Sequence, residues 1–147
     1  MPCKQWVAGS IPADGSKTKM NKGIVVVSGS RDFSDAVFAN TCILKLRKEF
    51  GDSLTIVSGD AKHGVDRMTI SMCEDFGITH IKCPANWKKF GRSAGIIRNR
   101  FMLSFFEPEL VVGIYWDLTP GTKHCLEEAE KRNIKVRRCV PEKENER

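Results

Sequence analysis

The chain has no long hydrophobic run. A stretch such as Ile24 to Val27 is strand-sized, far below the roughly 20 apolar residues a membrane-spanning helix needs. No apolar segment near the N-terminus has the form of a secretory signal, so the expected location is the cytoplasm. Six cysteines are present (Cys3, Cys42, Cys73, Cys83, Cys125 and Cys139), but none sits in a C-x-x-C pair, and the three histidines have no metal-ligand spacing. Neither a metal nor a cofactor is expected, and the cysteines read as small buried hydrophobes. Both G-K-[ST] and G-x-G-x-x-G are missing, which excludes a Walker loop and the dinucleotide fingerprint. Aromatics are scarce, at 8% with a single tyrosine.

What is present is globular. Of 147 residues, 41% are hydrophobic and 29% charged, enough for one domain with a core of its own. The net charge of +6 favours an anionic partner. Positive residues cluster at Lys4, Lys17, Lys19 and Lys22, and again at Lys88, Lys89, Arg92, Arg98 and Arg100. The second cluster lacks interleaved aromatics, so it suits phosphate better than a base-stacking platform.

Residues 1–22 are rich in Gly, Ser, Lys and Pro without periodicity, and read as a disordered leader with Met20 as an alternative start. Back-translation of Val7 to Ala13 can produce the T-arm of a transfer RNA gene, a common integration target. A viral or mobile-element origin is therefore a hypothesis that the nucleotide sequence tests. Residues 23–140 read as the folded domain and 141–147 as a polar tail.

Within the domain, β-branched runs alternate with amphipathic stretches. Strands are expected at Gly23–Gly29, Leu54–Val57, Ile78–Cys83, Leu110–Tyr115 and Ile134–Cys139. Helices are expected from a Ser34 cap to Phe50 (Val37, Phe38, Cys42, Ile43 and Leu46 inward), and over Gly64–Phe76 (Val65, Met68, Met72 and Phe76 inward). Two more are expected over Ser93–Phe105 (Ile96, Ile97, Phe101 and Leu103 inward) and Thr119–Asn133. Such alternation predicts an α/β fold: one Rossmann-like domain with a mainly parallel five-stranded sheet and helices on both faces. Ligands of such sheets lie beyond the carboxyl ends of the strands.

Four loops fall at that edge. The first, Ser28 to Phe33, offers Gly29 for close backbone approach and Ser30, Arg31 and Asp32 as polar contacts. The second runs from Ser58 and Gly59 to Gly64, Val65, Asp66 and Arg67, with a glycine at the strand end and another opening a helix, a pattern suited to an anion. The third carries Trp87, to cover a base or close the core edge, with Arg98 and Asn99 in the following helix. In the fourth, Pro120, Gly121 and Thr122 open a helix whose first amides can face a phosphate.

These segments, in this order from about residue 23 to 139, resemble the YspA-type branch of the SLOG superfamily. That superfamily includes the LOG phosphoribohydrolases, the DNA-processing protein DprA and sensor domains of antiviral systems. The resemblance implies a Rossmann-like fold whose glycine loops hold a nucleotide or nucleotide-derived ligand. One departure matters. LOG-type hydrolases carry P-G-G-x-G-T-x-x-E, and the position of that glutamate is Cys125 here; Glu128 lies six residues beyond Thr122, too far along the helix to replace it.

Three functions follow. The leading one is a binding module, sensor or sequestering agent for a nucleotide-derived small molecule. The second is an enzyme acting on a nucleotide N-glycosidic bond, with Asp66 and Asp117 as candidate catalytic acids among Asp32, Asp60, Asp66 and Asp117. The third is DprA-like binding of single-stranded nucleic acid. A homodimer is expected, with Phe105, Phe106 and Trp116 as candidates for an exposed apolar patch.

Overall fold

Val25, Val26 and Val27 of β1 (Ile24–Gly29) are all fully buried. Consecutive strand residues face opposite sides, so a run like this demands cover on both. The computed structural model, which describes residues 23–142, supplies that cover.

Helix α1 (Ala36–Phe50) leads to β2 (Thr55–Ser58), and α2 (Val65–Phe76) to β3 (Thr79–Lys82). A short helix α3 (Trp87–Phe90) precedes α4 (Ala94–Phe106), β4 (Leu110–Ile114), α5 (Pro120–Lys131) and β5 (Lys135–Cys139). All pairings are parallel, in the order β3-β2-β1-β4-β5. Val26 stands beside Val57 of β2 and Val111 of β4. The chain winds outward from β1 through β2 to β3, then returns across the sheet to β4. The direction therefore reverses between β1 and β4.

Two cores result. On one face, Ala39, Cys42, Ile43 and Leu46 of α1 and Val65, Met72 and Cys73 of α2 pack on Val25, Val27, Ile56 and Val112. On the other, Met102, Leu103 and Phe106 of α4 and Cys125, Leu126 and Ala129 of α5 pack on Val26, Val57, Ile81 and Val111. Gly113 exists for this second contact: a Cβ there would come within 2.9 Å of Leu126. No helix among the described residues is long and apolar enough to cross a membrane.

The fold class is as the sequence predicts, and strand ends differ by at most one residue. Several helix details differ. Asp35, not Ser34, caps α1, its Oδ1 accepting from the Phe38 N–H at 3.0 Å. Val37 is 76% exposed, because α1 turns the stripe at Ala39, Cys42, Ile43 and Leu46 to the sheet. Phe76 ends α2 on the solvent side. Ile96 and Ile97 are exposed because Arg98 and Asn99 take the inward positions of that turn. The expected apolar patch is not formed as read: Phe106 is buried, and Trp116 packs on Phe33 with ring centroids 4.7 Å apart. Phe105 is half exposed and stacks on Phe101. The leader, its Met20 start and the transfer RNA reading lie outside the described residues.

Candidate ligand-binding site

Strand direction brings all four loops to one edge, and their glycines decide how closely they approach. Gly29 ends β1 where a Cβ would collide with Val65 of α2 and with the Ile114 carbonyl of β4. Gly64 has φ +78° and ψ −146°, a region that side-chain-bearing residues avoid. A Cβ there would also meet the Ser30 carbonyl and the Arg31 backbone. The first loop is thereby locked to the start of α2: Val65 N–H donates to the Ser30 carbonyl at 3.2 Å. Ser30 N–H reaches the Ile114 carbonyl, and the Ser30 hydroxyl accepts from Asp32 N–H at 3.1 Å. Ser30 is buried and shapes the loop from within, while Arg31 and Asp32 are exposed.

A second layer of polar groups lies beneath the edge. The Asp66 carboxylate is buried and accepts from Ala61 N–H at 3.1 Å, holding the loop after β2. Burial raises its pKa; the Ala61 hydrogen bond and the Arg98 charge act in the opposite direction. Gly59 lies against both groups: a Cβ would run into the Arg98 guanidinium and stand 2.8 Å from Asp66 Oδ2. Arg98 donates from Nη1 to the Cys83 carbonyl at 3.1 Å and from Nε to Asn99 Oδ1 at 3.0 Å. Asn99 Nδ2 in turn donates to the Gly121 carbonyl at 3.2 Å and faces His124 Nδ1 at the same distance. Asp66, Arg98 and Asn99 thus fasten the loops after β2 and β3 and the start of α5 to one another.

Ser58 is also internal. Its hydroxyl contacts His80 Nε2 at 3.1 Å and the Gly59 carbonyl, and burial pushes the His80 imidazole down to about 4. Neither His80 nor His124 is in a recognisable motif. Their only sequence signal is a polar residue one strand or one helical turn from a loop glycine.

The outward layer is different. Arg31 stacks over the Trp87 ring with its guanidinium carbon 5.6 Å from the centroid, linking the loops after β1 and β3. Trp87 is 49% exposed, and its helix α3 is a turn that the sequence reading leaves as open connection. Arg67, Asp117, Pro120 and Gly121 are exposed, whereas Thr122 is buried and receives a hydrogen bond from the Thr119 hydroxyl at 3.4 Å.

Helix starts separate into two kinds. Asp35 caps α1 and Asn86 caps α3 through their side chains. α2, led by Gly64, α4, led by Ser93 at the end of a 3-10 turn, and α5, led by Thr119 and Pro120, have no side-chain cap; of these, α2 and α5 begin directly from loops at the strand ends. Helices α2 and α5 start on opposite faces of the sheet and flank the end of β1. Partial positive charge from both dipoles therefore meets at the β1–β4 reversal.

Cys125 is fully buried and its thiol is pushed up to about 11, mainly by burial. It is packing, not a nucleophile. Glu128 is bound to Arg132 at 3.1 Å, with Arg100 and His124 each at 3.8 Å. It ties α5 to α4, away from the loops.

Residues 23–90 match the model of the YspA, cpYpsA-related SLOG family. The first two loops and Trp87 lie within the match. Two solved structures of the molybdenum cofactor carrier protein from Chlamydomonas reinhardtii share the fold. One superposes with a TM-score of 0.54 at 16% identity and the other with 0.55 at 17%. Each alignment covers 78% of this chain and 74% of the other. No curated protein matches.

Proposed function

We propose that the protein binds a nucleotide or nucleotide-derived phosphate ligand at the β1–β4 reversal, as a sensor or sequestering module. The observation that carries this reading is the convergence of two uncapped helix starts, those of α2 and α5, beside an exposed Arg31–Trp87 stack. Uncapped amides and helix dipoles suit a phosphate; an aromatic face beside a guanidinium suits a planar ring. The family match over residues 23–90 and the carrier function named for the two structural neighbours support a small, cofactor-like ligand. Gly29, Ser30, Gly59, Gly64, Val65, Asp66, Arg98, Asn99 and Thr122 shape the site in this reading. Arg31, Asp32, Arg67, Trp87, Pro120 and Gly121 border it.

Binding without turnover is favoured over N-glycosidic cleavage. Asp66 is spent on Ala61, and the position of the LOG glutamate is a buried thiol, which leaves Asp117 as the one accessible candidate acid of the named pair. The test is native mass spectrometry of the purified protein, then a thermal-shift panel of nucleotides, cyclic nucleotides, ADP-ribose derivatives and molybdenum cofactor. A bound species, or a shift that is lost in Arg31→Ala, is expected. Turnover that disappears in Asp117→Asn with binding retained would replace this reading with the enzymatic one. No shift across the panel would remove the site altogether. Sedimentation of the same sample tests self-association.

A further inference from the structure

On the flank of the sheet, away from the loop edge, α1 and the edge strand β5 enclose a cavity of about 330 Å³. It exists because α1 lies over the middle of the sheet and, among the described residues, no helix covers β5 on that face. Its walls bring together Cys42 of α1 and Cys139 at the end of β5, with Lys45, Glu49, Arg137 and Arg138 around them. Both cysteines are free thiols, both line this cavity, and Cys139 packs against the apolar cluster to which Cys42 belongs. Glu49 is engaged with Arg137 at 3.0 Å, and Glu130 with Arg138 at 3.3 Å. Lys45 has no such ion pair among the described residues and adds positive charge to the rim.

Among the described residues, the other two free thiols behave differently. Cys73 and Cys125 sit deep in the cores, and burial pushes them up to about 12 and about 11. Cys139 is held down at about 7 by the hydrogen bond from Cys42, with help from Arg137 and Lys45 against desolvation and the Glu49 charge. The same bond raises Cys42. The cavity therefore places a thiol whose thiolate form is favoured, Cys139, beside a second free thiol, the pairing that thiol exchange requires.

We propose that Cys42 and Cys139 form a thiol–disulfide exchange site for a small anionic disulfide of the glutathione disulfide class, with Cys139 attacking and Cys42 resolving. The Cys139 thiolate forms a bond to one sulfur of the disulfide and expels the other half as a thiolate. Cys42 then loses its proton and attacks the Cys139 sulfur of this mixed disulfide, releasing the second half. The protein pair is oxidised by two electrons, and one disulfide becomes two thiols. The product crosslink staples α1 to β5.

The reduced full chain is incubated with glutathione disulfide at pH 7, alkylated, unfolded and mapped by mass spectrometry. A Cys42–Cys139 crosslink is expected, with Cys73 and Cys125 still reduced. The variants Cys42→Ser and Cys42→Ala stop at a glutathionyl adduct on Cys139, and Cys139→Ser reacts at least tenfold more slowly. In the wild type the rate rises with a midpoint near pH 7, not near the 9.0 of an ordinary thiol. Absence of the crosslink, an adduct on another cysteine in both Cys42 variants, or a wild-type rate in Cys139→Ser overturns the proposal.

Discussion

Two layers of polar residues meet at the loop edge, and they do opposite things with the same chemistry. The inner layer (Ser58, Asp66, His80, Arg98 and Asn99) has its hydrogen bonds turned on the protein: Ala61 N–H, the Cys83 and Gly121 carbonyls, and one another. The outer layer (Arg31, Asp32, Arg67 and Asp117) is exposed, and Arg31 rests on an exposed ring. A buried polar group must be satisfied internally, so the inner layer contributes rigidity and little recognition. An exposed group keeps its hydrogen-bonding capacity for a ligand. Charged residues in neighbouring positions of one motif therefore belong to different tasks, and mutating them separates stability from binding.

The largest effect is expected from Arg98→Ala. It removes two hydrogen bonds from a guanidinium and takes the compensating charge away from Asp66. A loss of about 3 kcal/mol in urea unfolding is the expected scale. A loss below about 1 kcal/mol would break the division by making Arg98 available to a ligand.

The next effect is in pH. His80 is held neutral in the fold, pushed down from 6.5 to about 4. As pH falls below 6.5 the unfolded chain takes up the proton first, so its stabilisation is complete above 6.5 and lost by about 4. Allowing for partial exposure, about 2 kcal/mol should disappear across this window and the slope should flatten in His80→Asn. Identical slopes in both proteins would show that His80 does not belong to the inner layer.

Arg31→Ala sharpens the contrast from the other side. Removing an exposed cation–π contact should change stability by about 0.5 kcal/mol, while any ligand-induced thermal shift is lost. A stability loss matching that of Arg98→Ala would merge the two layers.

Much of the architecture was legible before the structure. Val25 to Val27 announce a doubly covered strand, and the stripe from Ala39 to Leu46 announces a helix with one apolar face. The four glycine-bearing loops were legible as a set because strand alternation places them at one edge. Other features were not. Asp35 and Ser34 are both good caps, and the choice depended on where α1 could begin after Phe33 was buried. Ile96 and Ile97 look like core residues, yet Arg98 and Asn99 turn inward in their place because the loop carbonyls of Cys83 and Gly121 need donors.

Periodicity, glycine placement and the order of loop motifs were enough to determine a parallel α/β sheet and the edge where a ligand would sit. Those signals are local: they depend on residues a few positions apart and on the handedness of the chain. The division of the loop residues into framework and contact was decided only by the tertiary structure. So was the meeting of Cys42 and Cys139, nearly one hundred positions apart. Burial and hydrogen-bond partners are properties of what folds against a residue, and no local pattern records which carbonyl, charge or thiol will be there.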